Sequence, residues 1–167
     1  LSAGAHSQVL EDADGKVIRP AIMWNDQRSR LEVQVLRDQY DRRILEVGYN
    51  RCSTTWTLPQ LLWVRKNEPE VAARTARVYL AKDWLRSRLT GTFETDTIDA
   101  LGTLMVDAPT AKWSAELCRM IGWPIETLPP ISKPTAVVGK VTPAAAKATG
   151  LAAGCPVVCG TSDTAAE

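Results

Sequence analysis

The closing stretch, residues 156–167, PVVCGTSDTAAE, is the part of the sequence that decides the fold. Residues 156–160 read as a buried strand, Thr161-Ser162 as a tight turn, and Asp163 as the start of a helix. A buried strand that runs into a small polar turn and then an acid belongs to α/β folds. Those folds place catalytic groups just past the carboxyl end of a strand. Asp163 is therefore a candidate general base. The same residue has a plainer use, because an acid at a helix start caps free amides and favours the helix dipole. Spacing alone leaves both uses open.

Working outward, the chain reads as short strands and helices in alternation. Residues 7–11 and 17–23 are β-like, and Asp14-Gly15 between them predicts a two-residue type I′ hairpin turn. Asn25-Asp26 offers a cap for an amphipathic helix over 27–39, with a second short helix over 41–47. Thr57 is placed to cap a buried helix over 58–67, and Pro69 to open another to about residue 75. Residues 78–81 read as a buried strand. Asp83 then caps a helix that Gly91 stops. Short helices follow over 98–103 and 114–121, the latter capped by Ser114. The proline-rich stretch 124–143 reads as a long ordered loop, and 143–149 as a helix ended by Gly150. The sum is mixed α/β, with helices outnumbering strands.

His6 is the single histidine of the chain and precedes a strand among small residues. Trp24-Asn25-Asp26 follows a strand. An indole beside an amide and a carboxylate suits a sugar, whose ring has an apolar face and a rim of hydroxyls. A core indole followed by an Asx cap explains the same three residues. Asp96 and Asp99 could pair for acid–base work, but they read more simply as capping around a short helix. A glycosidase built on them would need the two carboxyls to face each other across a cleft.

Absences narrow the classes further. The sequence holds no Gly-x-x-x-x-Gly-Lys-Ser/Thr loop, no Gly-x-Gly-x-x-Gly and no Gly-x-Ser-x-Gly elbow. The four cysteines, Cys52, Cys118, Cys155 and Cys159, have no metal spacing. Cys155 and Cys159 on one strand would lie roughly 13 Å apart, too far for a disulfide. All four read as small buried apolar residues of a reducing cytoplasm. A net charge of +1 over 167 residues gives no field for nucleic acid or an acidic membrane. No apolar run reaches the 18 or so residues of a membrane span.

Four blocks in order carry a resemblance: GAHSQVLEDADGKVIRPAIMWNDQR (4–28), LPQLLWVRKNEPEV (58–71), AKDWLRSRLTGTFETDTIDALGTLMVD (81–107) and PVVCGTSDTAAE (156–167). Together they resemble xylulokinase-like members of the FGGY family of carbohydrate kinases. The resemblance implies an α/β, ribonuclease H-like domain of the actin/hexokinase/Hsp70 ATPase type. It implies that residues 1–167 form part of the N-terminal, sugar-binding domain. The first phosphate-binding strands would precede Leu1 and the C-terminal domain would follow Glu167, so both ends read as cuts in a longer protein. The implied activity is ATP-dependent phosphorylation of a sugar, with D-xylulose to xylulose 5-phosphate leading. Other pentulose, polyol or hexonate kinases are alternatives, as is a non-catalytic sugar-binding or scaffold member.

Carried over residue by residue, Asp163 matches the family's base and His6 its sugar-contacting histidine. Trp24, Asn25 and Asp26 match a pocket-lining motif. Ala5 stands where xylulokinases have Met, and Thr164 where an Asn follows the base. Gln60 replaces a Lys in the second block. The implied partners are a small sugar, ATP and Mg2+, the last two held mainly by parts outside this chain. No nucleic acid or membrane is implied; a homodimer and a cytoplasmic setting are compatible with it.

Overall fold

A computed structural model describes residues 1–166; Glu167 lies outside the described residues. Strand β1 (Gln8–Glu11) pairs antiparallel with β2 (Arg77–Leu80), in the register Gln8↔Leu80 to Glu11↔Arg77. All four β1 residues are buried, so Gln8 and Glu11 are polar groups inside the fold. The hairpin expected after β1 survives only as two isolated bridges, Glu11↔Val17 and Gln8↔Ile22. Pro20 lies between them and has no amide to donate, which breaks the ladder. Its turn is not type I′. Gly15 alone takes positive φ, at 75°, and Asp12 Oδ1 accepts the amides of Asp14 and Lys16 instead.

Helix α1 (Arg30–Gly48) runs unbroken through the two helices expected over 27–39 and 41–47. The sequence around Tyr40 has no Gly or Pro to interrupt it, and Val33, Leu36, Ile44 and Val47 all face the core. Its cap position is Ser29, with no side-chain cap bond. Asp26 is spent elsewhere: Oδ1 accepts the Arg28 amide at 2.9 Å, and Arg28's guanidinium pairs with both carboxylate oxygens.

Helix α2 (Thr57–Asn67) is buried along most of its length, and α3 (Pro69–Arg74) follows with its proline in the first turn. Thr57 begins α2 but makes no cap bond, and its hydroxyl is buried without a partner. The core gathers α1, α2, β1, β2 and α6 (Ala115–Ile121) around Leu58, Leu61, Leu104 and Ile121.

Helix α4 (Ala81–Thr90) leaves β2 directly and ends at Gly91, whose φ of 77° closes the last turn. Asp83 does not cap α4 as expected; it sits in the first turn, fully buried among charged side chains. Strand β3 (Thr95–Asp96) leads into α5 (Thr97–Leu101), which Asp96 caps by accepting from Ile98 and Asp99 amides. A small hairpin, β4 (Val106–Asp107) with β5 (Lys112–Trp113), precedes α6, and Ser114 caps α6 through the Leu117 amide.

The stretch read as a long loop has structure. It contains a 3-10 turn (Ile125–Thr127), β6 (Ile131–Ser132) parallel to β3, and β7 (Val137–Lys140). Helix α7 (Pro143–Thr149), capped by Thr142, then returns the chain to β8 (Pro156–Val158), antiparallel to β7. β8 was expected to be buried, yet Val158 is exposed and β8 lies in a two-stranded sheet. Among the described residues the strands outnumber the α-helices, eight to seven, but most are short and helices hold more residues. All four cysteines are free, and Cys155 is exposed rather than buried.

Candidate active site

Asp163 opens a 3-10 turn (Asp163–Ala165) just past β8. Ser162 occupies the cap position, so the carboxylate does not serve as an ordinary helix cap. One oxygen, Oδ1, accepts the Thr164 amide at 2.9 Å and the Ala5 amide at 3.4 Å. The Asp163 amide donates to Ala3 O at 3.2 Å. The residue is thus clasped by its own neighbour and by the distant segment 3–5. Among the described residues Oδ2 has no hydrogen-bond partner.

His6 takes φ of 61°, a left-handed conformation that a residue with a Cβ rarely adopts. Its Nδ1 bonds the Gly102 carbonyl. A carbonyl only accepts, so the Nδ1 hydrogen is fixed there and neutral His6 keeps Nε2 as a free acceptor. Trp56 meets the ring edge-on, with centroids 4.9 Å apart at 78°. Gly102 is obligatory for this contact: a Cβ there would lie 2.7 Å from His6 Cε1.

A cavity of about 290 Å3 is lined by Ala5, His6, Trp24, Thr55, Asp163 and Thr164. Its size sits near the lower end for small-molecule sites. A neighbouring cavity of about 180 Å3 shares Ala5, His6 and Thr164 and adds Asn50, Trp56 and Asp99. Trp24 is 52% exposed, more than an indole, which is highly buried on average, usually is. Five expected site residues (Ala5, His6, Trp24, Asp163, Thr164) are brought together. Asn25 and Asp26 do not line either cavity. Gln60, the departure in the second block, is buried; its Nε2 donates to Met23 O at 3.3 Å and Thr54 O at 2.9 Å, steadying the loops that present Trp24 and Thr55.

Sequence reasoning missed Thr55, Trp56, Asn50 and the role of Gly102. It also missed a buried charge cluster behind the second cavity. Lys82 Nζ lies 2.5 Å from Asp83 Oδ1, 3.0 Å from Asp96 Oδ2 and 3.4 Å from Asp99 Oδ2. The Asp96 contact is a close charge pair rather than an aligned hydrogen bond. Burial opposes the Lys82 ammonium, but Asp83, Asp96 and Asp99 outweigh it and raise its affinity for the proton. Burial pushes the Asp99 carboxyl up to about 7; Lys82 opposes the rise and the charges of Asp96 and Asp83 add to it. Asp83, Asp96 and Asp99 are close enough together to hold a metal ion, but the Lys82 ammonium already stands against all three. Asp96 and Asp99 therefore do not form a facing acid–base pair.

The description "FGGY family of carbohydrate kinases, N-terminal domain" matches residues 1–167. The chain is 36% identical to the xylulose kinase of Bacillus subtilis over 164 residues, covering 98% of this chain and 33% of that protein. It superposes on a crystal structure described as a xyloylose kinase from Brucella ovis with a TM-score of 0.92, at 35% identity, covering 99% of this chain and 34% of that one. A gluconate kinase from Lactobacillus acidophilus gives the same TM-score at 26% identity, with 97% and 33% covered. The chain thus spans about a third of the length of the relatives it matches. The α/β, actin/hexokinase-type fold expected from the four blocks is the fold these structures share with it. With that domain matched from end to end, the chain belongs to the FGGY family of carbohydrate kinases.

Proposed function

We propose that this chain is the acceptor-binding part of an ATP-dependent sugar kinase, with D-xylulose as the leading acceptor and xylulose 5-phosphate as product. The observation that carries it is Asp163 Oδ2, left without a partner while Oδ1 is held by two amides, beside a cavity that also holds His6 and a half-exposed Trp24. Asp163 takes the proton of a terminal hydroxyl. The hydroxyl oxygen bonds the γ-phosphorus of ATP, and the bond from that phosphorus to the bridging oxygen of ADP breaks. His6 Nε2 accepts from a hydroxyl nearer the other end of the sugar, and Trp24 covers an apolar face.

The described residues offer no cradle for Mg2+: the one three-carboxylate cluster is filled by Lys82, and Asp163 stands as a single acid at the cavity. We therefore assign the metal and most of the ATP to the length of the relatives that this chain does not span. Asn25 and Asp26 are assigned to shaping the Trp24 loop. The B. subtilis and B. ovis relatives favour a pentulose, and the gluconate kinase keeps a hexonate as the second reading. No described helix is long and apolar enough to cross a membrane. A cytoplasmic setting fits the four free cysteines.

An ATP-consumption screen of the full-length protein across pentuloses, polyols and hexonates tests the assignment. Turnover with D-xylulose is expected to exceed that with the other acceptors. No turnover with any acceptor would overturn the kinase reading, and preference for a hexonate would overturn the acceptor.

A further inference from the structure

We propose that Lys82 and Arg86, with the carboxylates of Asp83, Asp96 and Asp99, are positioning residues that hold Asp163 and His6 in register with each other. The proposal rests on the reading of Asp163 as the base.

Lys82 and Arg86 are the two largest fully buried side chains described. Both donate to one carbonyl, that of Cys159: Lys82 Nζ at 3.3 Å and Arg86 Nη1 at 2.7 Å. Arg86 Nη1 also meets Asp83 Oδ1 at 2.7 Å, and its Nη2 donates to the Glu94 carbonyl just before β3. Cys159 is four residues ahead of Asp163. Gly160, between them, has φ of 82°, and its open side faces the Leu1 carbonyl first and the Lys82 stem second. The strand exit is tied further by Gly160 N to Pro134 O at 2.9 Å and Asp163 N to Ala3 O.

The other face of the cluster reaches His6. Asp96 presents Oδ2 to Lys82 while its Oδ1 caps α5 at the Ile98 amide, 2.9 Å away. The residue that follows α5, Gly102, supplies the carbonyl that orients His6. The Ala81 amide, which begins α4, donates to Ser7 O at 2.9 Å, one residue after His6. A single ammonium therefore donates to the segment that carries the base and stands as the charge partner of the carboxylate that caps the helix before Gly102. Apolar side chains could fill this volume without loss of stability. They could not join two cavity walls through one carbonyl and one cap. Placement matters at this scale, because an error of about 1 Å at a reacting group can cost 10²-fold.

The test uses the full-length protein. In Lys82→Met, kcat is expected to fall by about 10–100-fold with the sugar KM changed less than about threefold. Hydrogen exchange should show residues 160–166 and 97–104 losing amide protection together. Arg86→Lys keeps the buried charge but cannot bridge Cys159 O and Glu94 O at once, so it should show the same split. Unchanged kcat in a folded variant, or lost protection confined to α4, overturns the proposal. If neither variant accumulates as folded protein, the cluster is a folding core and the proposal also falls. A wild-type protein that phosphorylates no acceptor removes the kinase reading instead. The exchange pattern still decides whether the two segments are coupled.

Discussion

The chain carries two groups of ionisable side chains joined through the segment 159–163, and they are built in opposite ways. In the first, Lys82, Asp83, Arg86, Asp96 and Asp99 are nearly free of solvent, and every charge faces an opposite one. In the second, Asp163 and His6 each engage the backbone with one side-chain atom and leave the other free at an open cavity. Desolvated charges must be matched, and once matched they fix geometry. A group meant to exchange a proton with a ligand must be held by its frame without being satisfied by it. On the proposed reading, the two groups separate the tasks of holding and reacting.

That contrast breaks first at Asp163. Asp163→Asn in the full-length protein is expected to lower kcat by about 10²–10⁴-fold with little change in sugar affinity or melting temperature. Near-normal turnover would remove Asp163 from the chemistry. Lys82→Met should do the reverse in emphasis. It leaves three buried carboxylates with one cation, and a cost of about 3–5 kcal/mol in urea unfolding is expected. An unchanged midpoint would mean the cluster is solvated in a way its burial does not suggest.

A finer test lies in pH. Asp99 titrates at about 7 in the folded chain, against the ordinary carboxyl value of 3.8. Between those values the folded chain holds a proton that the unfolded chain has released. Asp99 therefore takes stability away as pH rises through that window. Asp99→Asn removes the titration, so its melting temperature should fall less than the wild type's between pH 5 and pH 8. Parallel slopes for the two proteins would contradict the buried environment of Asp99. The smallest effect is expected at Arg43, whose ion pairs with Glu116 and Glu46 are open to solvent. Arg43→Ala should leave melting and turnover unchanged, because exposed pairs contribute little.

What the sequence made legible was local. The strand–turn–acid pattern located Asp163, Ser114 capped its helix as expected, and Gly91 and Gly150 stopped theirs with positive φ. These are features in which a residue acts on neighbours three or four positions away. What stayed hidden was non-local. Asp83 looks like a cap until Lys82 and Arg86 are seen to surround it. β6 has two residues and pairs with β3 across more than thirty positions, so it has no periodicity to read. Trp24-Asn25-Asp26 read equally as a sugar platform or a core indole with an Asx cap; Trp24 lines the cavity, while Asp26 is turned to loop geometry. In the same way, Gly102 is an ordinary glycine in sequence and becomes essential only where His6 leans on it.

The left-handed backbone at His6 has a consequence for anyone breeding a hardier form of this protein. A non-glycine residue held in that conformation costs on the order of 1–3 kcal/mol. Glycine at position 6 would relieve that cost while discarding the imidazole. If His6 holds the sugar as proposed, a library screened on melting behaviour alone would drift toward sturdier variants that have lost that contact. Screening for retained sugar binding at each round would hold the histidine in place.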